Sequence, residues 1–335
     1  MLGAPKTSVK KKHAMKLTSL FTLLLCLVTP MAQAHDTTTP ISIKDMSLEK
    51  VSPSIYVVTG NHAFPDPQNR GFMNNPAAIV TPQGVIIVDP GSSMQIGEEL
   101  LAKVRTVTDK PVIAVFNTHV HGDHWLGNYG ISKTFPKVPI YAHERTIERL
   151  RSGEDKMWLE RISEMTKGAI EGTKPVIPTI GLKGGETLKL GDTTVHVHYA
   201  GHAHTDNDIM IEVPGEKVLF FGDVVIYEGV PHSGAPGDAS FKGTEAAIES
   251  MLKGPSTLFI PGHGHSGGRE VPESALRFVK ELRAAVTKYY KQGMSAADMK
   301  APITKDLQAY KDWRNFSELG RIITYVYLEV EQDVF

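Results

Sequence analysis

Cysteine is nearly absent: the 335-residue chain holds one, Cys26, which excludes a disulfide framework. No apolar run reaches the ~20 residues that span a bilayer, so no stable membrane insertion is expected. An excess of positive charge is missing as well. The formal net charge is -1, from 36 basic and 37 acidic residues. Five of those lysines (Lys6, Lys10, Lys11, Lys12 and Lys16) lie in residues 1–34, which hold no acid. Without them, 31 basic residues face 37 acidic ones, a net of -6. A mildly acidic body offers no electrostatic hold on a polyanion, so nucleic acid is not an expected partner.

Residues 1–34 have the layout of an export signal. A lysine cluster precedes the short apolar run Leu17 to Val28, and Ala32-Gln33-Ala34 provides small residues for cleavage. Met15 is a plausible true start. Cleavage after Ala34 leaves a chain with no cysteine, safe in an oxidising compartment. The expectation is a periplasmic or secreted protein with three parts: a signal peptide (1–34), a main domain (35–270) and a helical C-terminal extension (271–335).

From Pro53 onward, short β-branched runs alternate with glycine and proline turns. Strands are expected at Ile55–Val58, Ala77–Val80, Gly84–Val88, Val112–Phe116 and Val138–Tyr141. Helical spacing runs over Gln95–Val107, then over Glu144–Ile170 with a break near Gly153. The second half repeats the style, with strands at Thr187–Leu190, Thr193–Tyr199, Ile209–Val213, Val218–Phe221 and Thr257–Ile260, and a helix at Gly243–Leu252. The pattern predicts an α/β fold of two face-to-face sheets covered by helices. Beyond Pro272, the stripe Val279, Leu282, Val286, Tyr290 and the segment Ser317–Glu331 read as helices.

Nine of the thirteen histidines beyond residue 34 fall in three short stretches. These are Thr118-His119-Val120-His121-Gly122-Asp123-His124, the segment His196 to His204, and Pro261-Gly262-His263-Gly264-His265. His119 and His121, two apart in extended chain, present both imidazoles to one side, where they can grip one cation. Asp123 and His124 follow where the chain must turn, so they can face a neighbouring position about 3.5–4 Å away. His196 and His198 alternate with Val195, Val197 and Tyr199, as the polar face of a strand does. His265 is expected beside the site or in solvent, whereas His35, His62 and His143 carry no signal.

The string His119 to His124 resembles the signature of the metallo-β-lactamase superfamily. Four further motifs, one before the string and three after it, stand in the family's order. Asp89 in Val88-Asp89-Pro90-Gly91 resembles the aspartate that braces the metal loop. His204 in Ala203-His204-Thr205-Asp206-Asn207 resembles the next ligand, and is preferred over His202 on that context. Asp223 in Phe220-Phe221-Gly222-Asp223 resembles the bridging carboxylate, and His263 in Pro261-Gly262-His263 the last ligand. The chain is also similar to periplasmic members found near quinoprotein systems. The resemblance implies a four-layer αββα sandwich with the site along one edge of its sheets. It implies one cation on His119, His121 and His204, a second on Asp123, His124 and His263, and Asp223 between them. Nitrogen and carboxylate ligands without thiolate suit two Zn2+ ions, with iron or manganese compatible.

Such a site implies hydrolysis without a covalent enzyme intermediate, because a bound cation lowers the pKa of water from 15.7 to about 7. Asp123 is the expected catalytic residue, holding the nucleophile. An aspartate at position 223, with Ile226 where β-lactamases of the cysteine type often have lysine, resembles the glyoxalase, lactonase and alkylsulfatase branches. The expected activity is hydrolysis of a small ester, thioester, lactone or amide by hydroxide shared between two metals. β-Lactam hydrolysis is one alternative. A non-catalytic metal-binding accessory protein is the other, with the C-terminal helices as a docking surface for a periplasmic protein partner. The segment His62 to Asn75, with Phe64, Phe72 and Met73, reads equally as a flap over the site or as a surface loop. Met157, Trp158 and Met165 are expected to pack in the core, while Tyr227 and His232 are placed where they can reach the pocket.

Overall fold

The computed structural model describes residues 43, 46–60, 63–231 and 237–334. The expected export segment lies outside the described residues, as do His35, His62 and His232. Residues 39–335 form one compact unit.

The first sheet has seven strands in chain order: β1 (Glu49–Lys50), β2 (Ile55–Val57), β3 (Ala77–Val80), β4 (Val85–Val88), β5 (Val112–Phe116), β6 (Ile140–His143) and β7 (Ile180–Leu182). Its first four strands pair antiparallel and its last four parallel. The parallel half requires crossovers, and helices supply them. These are α1 (Met94–Val104), then α2 (Gly122–Trp125) and α3 (Asn128–Thr134), then α4 (Glu144–Arg149) and α5 (Asp155–Met165). The break expected near Gly153 is present: its φ of 117° interrupts a π-type turn between α4 and α5. A left-handed φ of this kind costs glycine nothing.

The second sheet follows the order β12–β11–β10–β9–β8: β8 (Thr187–Leu190), β9 (Thr193–Tyr199), β10 (Ile209–Val213), β11 (Val218–Ile226) and β12 (Leu258–His263). Only β11 and β12 pair parallel, joined through α6 (Phe241–Met251). Ile86 and Val88 of β4 face the second sheet, packing with Phe116, Val197, Ile209, Ile211 and Phe220. Val85 and Ile87, one residue out of phase, pack instead against Ile96, Leu100 and Val104 of α1. That is why these strands read as unbroken apolar runs rather than alternating ones. On the far side, Met210, Leu219, Phe221 and Phe259 bury against Ala247 and Ile248 of α6. The layers are helix, sheet, sheet, helix.

Three C-terminal helices follow: α7 (Glu270–Tyr290), α8 (Ala296–Asp306) and α9 (Leu319–Val334). Val271 and Ala275 at the start of α7 pack on the second sheet's outer layer. Phe278, Val279, Leu282 and Val286 then form a separate cluster with Met299 and Ile303 of α8 and Ile322, Ile323 and Val326 of α9.

Three differences from the sequence expectation affect the site. Strand β11 runs on to Ile226 instead of stopping at Phe221, and its register with β12 shifts on both sides of Gly222. Gly222 is left-handed there (φ 55°); such an irregularity re-aims the next side chain, which is Asp223. The helix expected through Ile170 ends at Met165, followed by turns with Lys167 and Gly168 at positive φ. Finally, α2 forms a single helical turn inside the histidine-rich loop.

Candidate metal centre

Each histidine-rich stretch sits at or just beyond a strand end, on the same edge of the two sheets. β5 stops at Phe116, and the chain turns through Thr118 and His119 into α2, with His121 as its N-cap residue and Asp123 and His124 in its turn. The Trp125 indole N–H donates to the Val120 carbonyl (2.8 Å) and Asn117 Nδ2 to the His124 carbonyl (3.0 Å), so the loop is pinned from within. His204 lies between β9 and β10 in a turn closed by Thr205, whose N–H and hydroxyl both donate to Asp208 (2.7 Å each). His263 ends β12.

These elements bring together all seven side chains named from the sequence. One cluster is His119, His121, His204 and Asp223; the other is Asp123, His124 and His263. Within each, the candidate ligand atoms lie within 4.8 Å of one another, and every member is buried. His204 Nε2 is 2.9 Å from His121 Nδ1. Asp223 stands between the clusters: Oδ2 is 3.5 Å from His204 Nε2 and 3.2 Å from His263 Nε2, and Oδ1 is 3.1 Å from His124 Nε2. Asp123 Oδ2 is 3.3 Å from His124 Nε2 and 3.4 Å from His263 Nε2. Ligand atoms of a tetrahedral zinc ion, at Zn–N of about 2.0–2.1 Å, stand roughly 3.3 Å apart, so the spacing suits such an ion.

The outer edges of the rings are already spoken for. Asp89, left-handed at φ 50°, a conformation aspartate tolerates, is held by its N–H on the Phe116 carbonyl (2.9 Å). Its Oδ1 accepts from the Thr118 N–H (2.8 Å), and its Oδ2 from the Thr118 hydroxyl (2.7 Å) and from His124 Nδ1 (2.8 Å). Thr118 Oγ1 in turn meets His119 Nδ1 at 3.0 Å. A carboxylate only accepts, so the proton of His124 sits on Nδ1, and Nε2 turns inward with a lone pair. His263 Nδ1 donates likewise to the Met73 carbonyl (3.0 Å), and His121 Nε2 meets Asp238 Oδ2 (3.3 Å). The inward atoms His119 Nε2, His124 Nε2 and Asp223 Oδ1 are buried and have no hydrogen-bond partner among the described residues. Buried polar atoms are rarely left so, and a cation satisfies all three.

Electrostatics agree. Burial alone would depress the His124 imidazole, but Asp223, Asp123 and Asp89 outweigh it and hold it well above its ordinary value. Burial likewise opposes His263, which Asp223 and Asp123 push up to about 10. Asp123 and Asp223, despite burial, are held well below the carboxylate range by these two imidazoles. His119, buried and next to His124 and His121, is held well below its usual value.

The remaining histidines behave as their spacing suggested. His202 is exposed, its Nε2 on the Asp238 carbonyl (3.0 Å), and takes no part in either cluster. His198 and His196 point outward from β9, at 2.8 and 3.6 Å from Glu212. His265 is exposed.

A pocket opens onto His121, Asp123 and Asp223. Phe64 and Met73 line it, and Met73 is held close by Asn75, which bonds the Gly262, Pro261 and Gly264 carbonyls of the β12 end. Two expectations need correction here. Trp158 packs on the core cluster of Val120, Trp125 and Ile162 as expected, yet with Met165 it also forms pocket wall, because α5 starts after the Gly153 break and turns one face to the site. The Trp158 ring lies 4.8 Å from that of His121. Met157, on another face of α5, is 40% exposed. Tyr227 misses the pocket as well: it lines a different cavity with His265 and Trp313. Sequence reasoning also missed Asp238, and the pocket arginines Arg161 and Arg321. The Trp158–Arg161 spacing of three on a helix was a legible signal; Arg321 had none.

Residues 69–285 match the family model of the metallo-beta-lactamase superfamily. The chain is 26% identical over 226 residues to a metallo-beta-lactamase type 2 of Bacillus cereus, covering 67% of this chain and 78% of that protein. It is 27% identical over 244 residues to a linear primary-alkylsulfatase of Pseudomonas sp. (strain ATCC 19151), covering 62% of this chain and 45% of the relative. Among solved structures, the metallo-beta-lactamase from Pontibacter korlensis superposes with a TM-score of 0.56 at 21% identity, over 70% of this chain and 99% of that one. Two His/Asp clusters that fit a pair of metal ions, set in this sandwich, agree with the family match: the chain belongs to the metallo-beta-lactamase superfamily and is a metal-dependent hydrolase.

Proposed function

We propose that the enzyme is a dinuclear hydrolase of a small ester, thioester, lactone or amide, acting outside the cytoplasm. The observation that carries the two-ion reading is the position of Asp223, whose oxygens reach His204 of one cluster and His124 and His263 of the other. His119, His121 and His204 would hold the first cation, Asp123, His124 and His263 the second, with Asp223 placed between the two clusters. All are nitrogen or carboxylate donors, which favours zinc and admits iron or manganese. When bound, the ions supply Lewis acidity and a nucleophile of hydroxide strength at neutral pH.

The chain's own groups do the rest. Asp123, at the pocket floor and kept ionised, accepts a hydrogen bond from the attacking water and fixes its approach. Asp89 and the Met73 carbonyl fix the tautomers of His124 and His263. Phe64, Met73 and Trp158 exclude water around the scissile group. Export is supported by the lysine cluster, apolar run and Ala32-Gln33-Ala34 site of residues 1–34.

β-Lactam hydrolysis is the second reading, favoured by the Bacillus cereus relative. A panel of thioesters, lactones, carboxylic and sulfate esters, with nitrocefin for the β-lactam arm, separates the two. Turnover of a non-lactam substrate is expected, with Asp123→Ala folded and inactive. Undiminished hydrolysis by Asp123→Ala contradicts its assigned role, and inactivity of the metal-loaded protein on the whole panel favours a non-catalytic accessory role.

A further inference from the structure

The pocket wall carries a feature that hydrolysis alone does not require. Arg161, one turn beyond Trp158 on α5, lies with its guanidinium 5.2 Å from the Trp158 ring centroid, and that ring in turn lies against His121. Arginine, tryptophan and histidine thus form a continuous run of ring contacts from the surface to the first metal cluster, the two rings tilted at 52°. Among the described residues, no carboxylate lies within ion-pair distance of Arg161. Arg149, Arg70 and Arg283, by contrast, are each paired with acids. Arg321 of α9, which is ion-paired with Glu318 (3.2 Å), brings a second guanidinium to the same pocket. On the Asp223 side, Ile226 is buried and supplies no charge. The indole N–H of Trp158 is shielded from water and has no acceptor among the described residues. The cavity therefore combines the metal-cluster residues His121, Asp123 and Asp223 with an apolar wall of Phe64, Met73, Trp158 and Ile162 and two guanidinium groups.

A guanidinium recognises a carboxylate through paired N–H donors, and a flat indole face takes an aryl or alkyl group. We propose that Arg161, with Arg321 and Trp158, forms an anion subsite, and that the substrate is an amphipathic acid: a hydrolysable ester, lactone or amide joined to an apolar group that bears a carboxylate. This rests on the hydrolase reading above for the reacting bond, but the subsite itself is a matter of binding.

The test has two arms on the metal-loaded enzyme. In the first, kcat/KM is compared for mono-p-nitrophenyl adipate, which carries a free carboxylate, and for p-nitrophenyl hexanoate, which does not. The parent enzyme is expected to prefer the acid by tenfold or more, mainly through KM. Arg161→Met combined with Arg321→Gln is expected to erase that preference. Arg151→Gln, an equal loss of charge on a residue outside the pocket, leaves it intact. In the second arm, calorimetry compares phenylbutyrate with its neutral amide. The acid is expected to bind at least tenfold tighter to the parent and to lose that margin in the double variant. A margin that survives the double variant means the metals alone capture the carboxylate, and overturns the proposal. An equal response to acid and amide in the parent overturns it too. If neither ester is hydrolysed, the hydrolase reading suffers while the calorimetric arm still decides the subsite.

Discussion

Asp89→Asn tests the link between fold and metal site with little steric disturbance. The replacement has the same shape, and asparagine accepts the left-handed φ of 50° as readily as aspartate does. What changes is the hydrogen bonding. The carboxylate accepts three hydrogen bonds, from the Thr118 N–H, the Thr118 hydroxyl and His124 Nδ1. An amide has one oxygen and one NH2 group. If the NH2 faces Thr118 N–H, two donors collide and neither can change. If it faces His124, the imidazole must move its proton to Nε2, the atom that has to bind metal. Either arrangement leaves a buried donor unsatisfied, at about 1–3 kcal/mol. Loss of such a partner behind a ligand typically costs 10–100-fold in metal affinity. The loss should fall hardest on the cluster holding His124, and less on that of His119, which Asp89 reaches only through Thr118. Competition against a chromophoric chelator measures both affinities. Thermal unfolding of the metal-free variant should drop by about 2–4 °C per kcal/mol. An Asn variant that binds both ions as tightly as the parent would refute the reasoning.

Two further perturbations probe the same frame. Gly262→Ala would place a methyl group 1.9 Å from Asp223 Oδ1 and 2.8 Å from the Gly222 carbonyl carbon; the carboxylate must move, so metal content should fall below two ions per chain while the far-UV spectrum is kept. A full complement of metal in that variant would show that Asp223 need not stay where it is. Burial pushes the Asp208 carboxyl up to about 8. Its folded-state pKa lies above the unfolded value, so between about pH 4 and 8 the folded chain binds more protons than the unfolded one. Stability of the metal-free protein should therefore fall as pH rises through that window, by up to about 1.36 kcal/mol per pH unit. Asp208→Asn should flatten this slope in denaturant titrations, and an unchanged slope would assign it elsewhere.

Much of this arrangement was legible in the sequence, for local reasons. Strands such as Val85–Val88 and Ile209–Val213 are buried on both faces, so their apolar runs declared themselves without reference to neighbours. The string from His119 to His124 lies within one loop and one helical turn, and its chemistry follows from its spacing. His204, Asp223 and His263 were readable only because a known pattern orders them; nothing local says they converge. The pocket wall was legible only in part, through the Phe64–Met73 segment and the Trp158–Arg161 spacing. Whether Trp158 faces core or site depends on how α5 leaves the Gly153 break, and Arg321 arrives from a helix 160 residues further along the chain. Strand β7 is three residues long with glycine at its centre, and α8 carries Pro302 inside it; both run against propensity and are set by packing.

The central claim is that two buried clusters from four distant segments each hold a divalent cation. Elemental analysis of folded protein, loaded with zinc and freed of excess, tests it most directly. The account predicts two ions per chain, falling to one or fewer when His263 is replaced by alanine. Natively folded protein that stays empty after exposure to excess zinc and iron would contradict it.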